Sequence, residues 1–284
     1  MFATHQSAAP LKWDKAALHA GRELAAETAV AIVINGTTQA VMMATPADLE
    51  AFGIGFVLTE RLVASVDEIE RVDVIEHELG IEVRLWVAEA RARYLADRRR
   101  TMAGPTGCGL CGIESLEQAM RDIVPVGAGI TLAAEQVYEA MASLGPAQDL
   151  NAVTHAVHAA ALWHPEQGLI AICEDVGRHN ALDKLVGMAT QQDLRPEHCA
   201  LLLTSRISIE MIQKAAVLGT ATVIAVSAPT ALAVRIAEAA EITLIGIARR
   251  DGFEVFSHAR RIAMERRDPR RLSAKLWSKA DGCL

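Results

Sequence analysis

The sequence predicts an α/β protein of two domains. Three observations lead there. In the second half, short continuous apolar runs alternate with amphipathic stretches, the pattern of a partly parallel sheet buried on both faces. In the first half, two strand-pair patterns flank a helical one. Between the halves lies TMAGPTGCGLCG, residues 101–112, where four glycines and one proline leave no room for a regular element. The chain has 284 residues, is 51% hydrophobic and 22% charged, and so has ample material for a core and is not a disordered chain. Aromatic residues are only 4%, so Ala, Val, Ile and Leu must fill that core.

The elements follow in order. Residues 1–22 read as a loosely ordered lead-in. Thr28–Ile34 and Thr38–Ala44 flank Asn35-Gly36, a favoured pair for a tight hairpin turn. Thr45, Pro46 and Asp48 then give a helix start, with the helix running to about Val63. A second hairpin spans Val72 to Val87 with its turn near Gly80, and residues 88–100 form a helix with a basic end. A short helix is expected over Glu114–Ile123, and another from Thr131 to about Leu144. Strands at Val153–Leu162 and Gly168–Cys173 precede a helix at Arg178–Ala189. Then come strand Ala200–Thr204, helix Ile207–Leu218, strand Thr222–Val226, helix Ala228–Ala239, strand Ile242–Ile247 and strand Phe253–Ser257. Ile207, Met211, Ala215 and Leu218 fall on one helical face. The expected domains are residues 23–102, an N-terminal α/β domain with hairpins, and residues 129–262. A flexible glycine-rich connection, residues 103–128, joins them, and residues 263–284 form a charged tail.

Charge and segments narrow the class. Twenty-eight basic residues against 35 acidic ones give a formal charge of −7, the wrong balance for a general nucleic-acid coat protein. The N-terminal residues lack the apolar stretch of a secretory signal. Two uncharged windows, Thr28–Ala47 and Ala215–Val234, are broken by Asn35-Gly36 and by Gly219, Ser227 and Pro229, so neither reads as a membrane span. The expectation is a cytoplasmic protein bound to neither nucleic acid nor membrane.

Five cysteines do not make a disulfide framework in a chain of this length. Cys173 and Cys199 lie in apolar runs and read as buried small hydrophobes, and Cys283 lies at the chain end. Cys108 and Cys111 are different, because glycines flank both and Arg98, Arg99 and Arg100 precede them. Neighbouring cations favour the thiolate, the reacting form. The pair suits a sulfur relay, in which one thiolate carries sulfur as a persulfide. It suits a structural zinc site less well, since no second Cys pair exists and no His lies within forty residues downstream. A thioredoxin-like pair would sit where a strand meets a helix, not in a glycine loop. A surface loop with two idle thiols is the remaining alternative.

Three strand ends carry polar and basic residues. Glu174-Asp175-Val176-Gly177-Arg178-His179-Asn180-Ala181-Leu182-Asp183-Lys184 joins a strand to a helix, and Ser205-Arg206 does the same. Each such corner either presents helix N–H groups to an anion or is a capped turn with an internally paired arginine. Two of them in one sheet suggest a ligand crevice. Ile247-Ala248-Arg249-Arg250-Asp251-Gly252 ends the last core strand, either as a phosphate clamp or as a polar hairpin turn.

RRR followed by TGCGLCG, then THAVHAAALW, EDVGRHNALDKLVG, SRISIEMIQKAAVLG and SAPTALAVRIAE, in this order, resembles the FdhD family of formate dehydrogenase accessory sulfurtransferases. The likeness runs from about Glu27 to His258. It implies a sulfur carrier that takes sulfur from a cysteine desulfurase and passes it to the molybdenum cofactor, a bis(molybdopterin guanine dinucleotide), for the formate dehydrogenase catalytic subunit. It implies Cys108 as the persulfide residue with Cys111 auxiliary. It also implies Ile247, Ala248, Arg249, Arg250, Asp251 and Gly252 as cofactor-binding residues, with guanosine diphosphate (GDP) as a mimic, no resident metal, and a homodimer. The C-terminal domain would be a cytidine deaminase-like α-β-α layered sheet. At Arg250-Asp251 and Ile247 this chain departs from the family pattern. Deaminase chemistry itself is not expected, because no H-x-E precedes a P-C-x-x-C here. The alternative from another class is a cofactor-binding chaperone without sulfur transfer, its Cys pair sensing redox state or holding zinc.

Overall fold

The computed structural model describes residues 2–8, 11–14, 16–19, 21–100 and 124–263, with side chains except at 11–14, 16–19 and 95–100. Cys108, Cys111, the helix expected over Glu114–Ile123 and the tail lie outside the described residues. The architecture is mixed α/β, with two main sheets.

The first sheet has four strands in the order β6-β5-β8-β7. Strands β5 (Thr28–Ile34) and β6 (Thr37–Ala44) form the expected hairpin. Its turn residues Asn35 and Gly36 have φ of 44° and 78°, the left-handed pair that matches strand twist. Strands β7 (Ile69–His77) and β8 (Gly80–Val87) form the second hairpin, and β8 lies parallel to β5. Helix α1 (Leu49–Thr59) covers one face, burying Phe52 and Val57 against Val30, Ile32, Val83 and Leu85. Helix α2 (Glu89–Arg100) follows as expected.

The lead-in is more ordered than its sequence suggests. Strand β1 (His5–Ala8) pairs antiparallel with β4 (Arg22–Ala25), and β2 (Leu11–Asp14) with β3 (Ala16–His19). None of these four-residue strands shows a clear alternation of apolar and polar residues, and their pairing rests on backbone hydrogen bonds. Arg22 also donates to the Thr154 carbonyl at 3.3 Å, tying this ribbon to the second half.

The second sheet has six strands in the order β11-β10-β12-β13-β14-β15. They are β10 (His158–His164), β11 (Gly168–Asp175), β12 (Ala200–Leu203), β13 (Thr222–Ala225), β14 (Thr243–Arg249) and β15 (Gly252–Ser257). β12 and β13 are buried at every position because apolar clusters cover both faces of the sheet. One cluster is closed by α5 (Arg178–Gln191), α6 (Ile209–Leu218) and α7 (Ala231–Ala239), and the other by α3 (Ala134–Ala147). Met211, Ala215 and Leu218 share the buried side of α6, as their spacing predicts, while Ile207 precedes the helix and is buried in a bridge to Pro229.

Two elements differ from expectation. A short strand β9 (Leu132–Ala133), paired parallel with β16 (Ile262–Ala263), takes the residues after Thr131, so α3 begins at Ala134. Residues Asp149–Thr154 form helix α4 rather than the start of a strand. The Glu174 carboxylate accepts from the N–H groups of Leu150 and Asn151 at 2.8 and 2.9 Å, capping α4 from the neighbouring strand.

The two sheets are joined by backbone contact between α1 and α5. A methyl group on Gly55 would lie 1.7 Å from the Asp183 carbonyl oxygen, and one on Gly187 would lie 1.9 Å from the Ala51 carbonyl oxygen. Only glycine permits an approach this close. Beside this contact sits a buried ion pair. Lys184 Nζ lies 2.7 Å from Asp175 Oδ2 and donates to the Thr45 carbonyl at 2.8 Å, and both charged side chains have no solvent exposure. Asp175 also accepts from Thr45 N at 3.0 Å, Gly177 N at 2.8 Å and Asn180 Nδ2 at 2.9 Å. Thr45 Oγ1 accepts from Val176 N at 3.1 Å. This explains why α1 starts at Leu49 and not at Thr45, since the groups that would cap a helix are spent across the interface.

A second ionic cluster is built on the adjacent α5 residue, Asp183. Lys214 Nζ contacts Asp183 at 2.7 and 2.9 Å, Thr59 Oγ1 at 2.9 Å and Glu60 at 3.2 Å. Burial works against the Lys214 charge, but the Asp183 and Glu60 carboxylates outweigh it and hold its pKa above the usual lysine value.

Gly187→Ala is expected to lower stability by at least ~3 kcal/mol through forced separation of the helices. Lys184→Met is expected to cost about 3–5 kcal/mol, because Asp175 is left buried and unpaired. Urea denaturation measures both, and unchanged midpoints would contradict the described interface.

Candidate functional site at the carboxyl edge of the six-stranded sheet

β10 runs antiparallel to both β11 and β12, while β12, β13 and β14 are parallel. Four strands, β11, β12, β13 and β14, therefore end on the same edge. In open α/β sheets this edge is where ligands bind. The polar strand ends noted in the sequence, Arg178, Ser205-Arg206 and the segment 247–252, all arrive there.

The loops on this edge are tied to one another. Thr230 N donates to the Ile207 carbonyl at 2.9 Å, Ile207 N to Ala228 at 3.4 Å, and Ile247 N to Ser227 at 3.2 Å. These bonds extend the sheet past its strands and make a ledge of fixed backbone. At its far end, the β14–β15 pairing slips register between Gly246 and Arg249. Ile247 there has φ of 52°, a conformation unfavourable for a β-branched residue. Gly246 leaves no room for a side chain, since a methyl group would lie 2.9 Å from Pro229 Cδ and 3.1 Å from the Ser227 carbonyl oxygen. Strain of this kind concentrates at functional sites. Within the segment, Ala248 is buried, Ile247 and Gly252 are half-buried, and Arg249, Arg250 and Asp251 are exposed. The arginines are thus presented outward at a rigid bend.

At the near end, Asp175 is committed to the sheet interface, and it caps the turn through Gly177 N. Arg178 is left without an acidic partner among the described residues, so the internally paired alternative does not hold for it. Two histidines that sequence reasoning did not single out sit beside it. His158 opens β10 opposite Asp175, and its neighbour Ala159 accepts from Thr204 N at 3.2 Å, so it lies between the ends of β11 and β12. His179 follows Arg178 at the start of α5. Burial, then the Arg178 charge, holds both below the usual histidine range, His179 at about 4. Both are uncharged at neutral pH. Their signal in the sequence was position only, at the first residues of a strand and a helix that meet at one edge.

Cys173 and Cys199 are buried and free. Burial pushes their thiols up to about 12 and about 11, so they are poor nucleophiles, as their apolar neighbours predict. Cys108 and Cys111 lie outside the described residues. Among the described residues, no three His, Cys, Asp or Glu side chains are grouped to hold a metal ion, and no helix is long and apolar enough to cross a membrane.

The lowered His179 pKa predicts acid sensitivity. The unfolded chain takes up this proton near pH 6.5 and the folded one only near pH 4, so His179 costs stability progressively as pH falls through that window. Wild-type protein is expected to lose about 2–3 kcal/mol relative to His179→Gln between pH 7 and pH 4.5, measured by urea denaturation at each pH. Parallel pH profiles for the two proteins would contradict a buried neutral His179.

The chain matches the model of the FdhD/NarQ family over residues 25–263. It is 49% identical over 237 residues to the sulfur carrier protein FdhD of Brucella abortus biovar 1 (strain 9-941), covering 83% of this chain and 88% of that one. It is 45% identical over 245 residues to the sulfur carrier protein FdhD of Agrobacterium fabrum (strain C58), covering 86% and 90%. The protein of the same name from Cupriavidus necator (strain H16) is 44% identical over 263 residues, covering 92% and 91%. The fold is similar to the crystal structure of a chain described as a formate dehydrogenase accessory protein from Desulfotalea psychrophila, with TM-score 0.71 and 22% identity over 91% of this chain and 98% of that one. The expected resemblance is therefore correct, and the chain belongs to the FdhD/NarQ family.

Proposed function

We propose that this protein is a sulfur carrier that moves sulfur from a cysteine desulfurase to the bis(molybdopterin guanine dinucleotide) form of the molybdenum cofactor, and so makes formate dehydrogenase active. The observation that carries this reading is the 49% identity to a protein named sulfur carrier, over most of both chains, together with the Cys108/Cys111 pair inside the matched residues 25–263.

In the loading step, the Cys108 thiolate attacks the outer sulfur of the desulfurase persulfide. The S–S bond in the donor breaks as a new one forms at Cys108. The desulfurase leaves as its thiolate, and Cys108 holds S–SH. The terminal sulfur is electrophilic while it is being attacked and nucleophilic once deprotonated, which suits it to transfer. Arg98–Arg100 shortly before the pair favour the thiolate. Cys111 is auxiliary. The cofactor is the substrate, held on the carboxyl edge with its guanine nucleotide at residues Ile247–Gly252 and its phosphates near the arginines. The six-stranded unit is read as the cytidine deaminase-like layered domain, and the active species as a cytoplasmic homodimer.

Incubation with a cysteine desulfurase and sulfur-labelled cysteine tests the carrier role. Label on the wild type and none on Cys108→Ala is expected, and equal label on both would overturn it. GDP is expected to raise the melting temperature, since only the folded state binds it, and the rise should shrink when Arg249 and Arg250 are both changed to Gln. No change at millimolar nucleotide would remove the proposed nucleotide site.

A further inference from the structure

At the far ends of α5 and α6 from the carboxyl edge, an open apolar groove of about 660 Å³ runs between the two halves of the molecule. It is lined by Leu58 near the end of α1, Val63 beyond that helix, Ala189 of α5, Leu194 just after α5 and Val217 of α6. Val63 and Ala189 are buried, whereas Leu58, Leu194 and Val217 are half-buried and keep apolar surface that the core does not use. Arg61 and Arg91 put positive charge on the rim. Val124, the first described residue after 101–123, lines the same groove and is 79% exposed. From there the chain is held, since Val126 N donates to the Ala240 carbonyl at 2.9 Å. Helix α2 is held against the same rim, because Arg91 donates to the Leu62 carbonyl at 2.8 Å and pairs with Glu68 at 3.2 Å. Residues 101–123 thus start from a helix seated on this rim and return to the rim itself.

We propose that this groove is the docking site of residues 113–123 of the same chain, seated as an amphipathic helix. The helix expected over Glu114–Ile123 places Leu116, Met120 and Ile123 at spacings of four and three, with Ile113 three residues before Leu116, so all four share one face. The segment carries Glu114, Glu117 and Asp122 against a single Arg121, opposite in sign to Arg61 and Arg91 on the rim. A helix this short is marginal in water and needs its apolar face covered. The groove offers apolar cover directly beside Val124, where the segment ends. An occupant tethered at that point binds intramolecularly, at an effective concentration on the order of millimolar, and so outcompetes a second copy or a separate partner of ordinary affinity. Seating residues 113–123 also anchors the downstream side of the Cys108/Cys111 pair, two residues from Cys111. The residues 101–112 then span from α2 to the seated helix and carry both thiols. The docking needs no sulfur chemistry, so a failed sulfur-labelling experiment at Cys108 leaves it standing.

Hydrogen exchange read by mass spectrometry on the full chain tests the proposal. The amides of residues 114–123 are expected to exchange at least tenfold more slowly than those of an unstructured chain. Leu116→Asp/Met120→Asp should remove that protection and leave β12 and β13 as protected as before, and Val217→Asp should do the same from the groove side. Cysteine pairs keep the test decisive if Val217→Asp does not fold. In a background with Cys108, Cys111 and Cys283 changed to Ser, Val217→Cys is combined in turn with Leu116→Cys, Gln118→Cys, Met120→Cys and Asp122→Cys under mild oxidation. An intrachain disulfide is expected in several-fold higher yield from positions 116 and 120 than from 118 and 122, because only the first two share the apolar face. Unprotected amides at 114–123, protection that survives Val217→Asp in a folded core, a disulfide yield equal at all four positions, or a product that joins two chains would each overturn the proposal.

Discussion

The structure depends on the direct backbone contact between α1 and α5. Gly55 and Gly187 bring each helix against a carbonyl group of the other, closer than any side chain permits. Close approach alone would leave polar groups stranded, and the Asp175–Lys184 pair resolves this. Its members are fully buried, and their remaining hydrogen-bonding capacity goes to Thr45 and Gly177 and to Asn180. Such a pair contributes little net stability compared with apolar packing, but its bonds to the N–H and carbonyl of Thr45 tie the end of β6, just before α1, to β11 and α5. The interface is therefore specified as well as attractive. This is a property of the whole molecule, because α1 belongs to the first sheet and α5 to the second.

That constraint reaches the candidate site through one short stretch of chain. Asp175 ends β11, Gly177 turns, and Arg178 and His179 begin α5. The same Asp175 side chain that locks the interface also caps this turn, so the positions of Arg178 and His179 follow from the packing of the two sheets. The other end of the edge is fixed differently, by the backbone bonds that Ile247 N donates to Ser227 and Thr230 N donates to Ile207. A ledge with both ends held can present charged groups without reorganising when a ligand arrives, and preorganisation of this kind reduces the cost of binding.

Much of this was legible in the sequence. The Asn35-Gly36 hairpin, the alternating second half and the buried face of Met211, Ala215 and Leu218 follow local rules of turn geometry and periodicity. The family resemblance rested on long strings such as EDVGRHNALDKLVG, yet the sequence did not tell which of those residues face a ligand. Asp175, Asn180, Asp183 and Lys184 read as polar residues of a ligand corner and proved to be interface residues. Arg178 read as a candidate for internal pairing and was left without it. The difference lies in partners more than one hundred residues away, Met43, Thr45 and Thr59, which no local pattern reveals. Helix α4 is held in part by Glu174 of β11, more than twenty residues along the chain, and the ribbon strands of four residues each are too short for a periodic pattern to show.

If the helix contact fixes both sheets in one register, they must lose structure together. Scanning calorimetry on the full chain measures this most directly. The account predicts one transition whose van't Hoff and calorimetric enthalpies agree, with near-ultraviolet signals of Trp86 in the first sheet and Trp163 in the second changing at the same temperature. Two separated transitions, one for each sheet, would show that the helices merely touch and would remove the physical basis for the arrangement of the site.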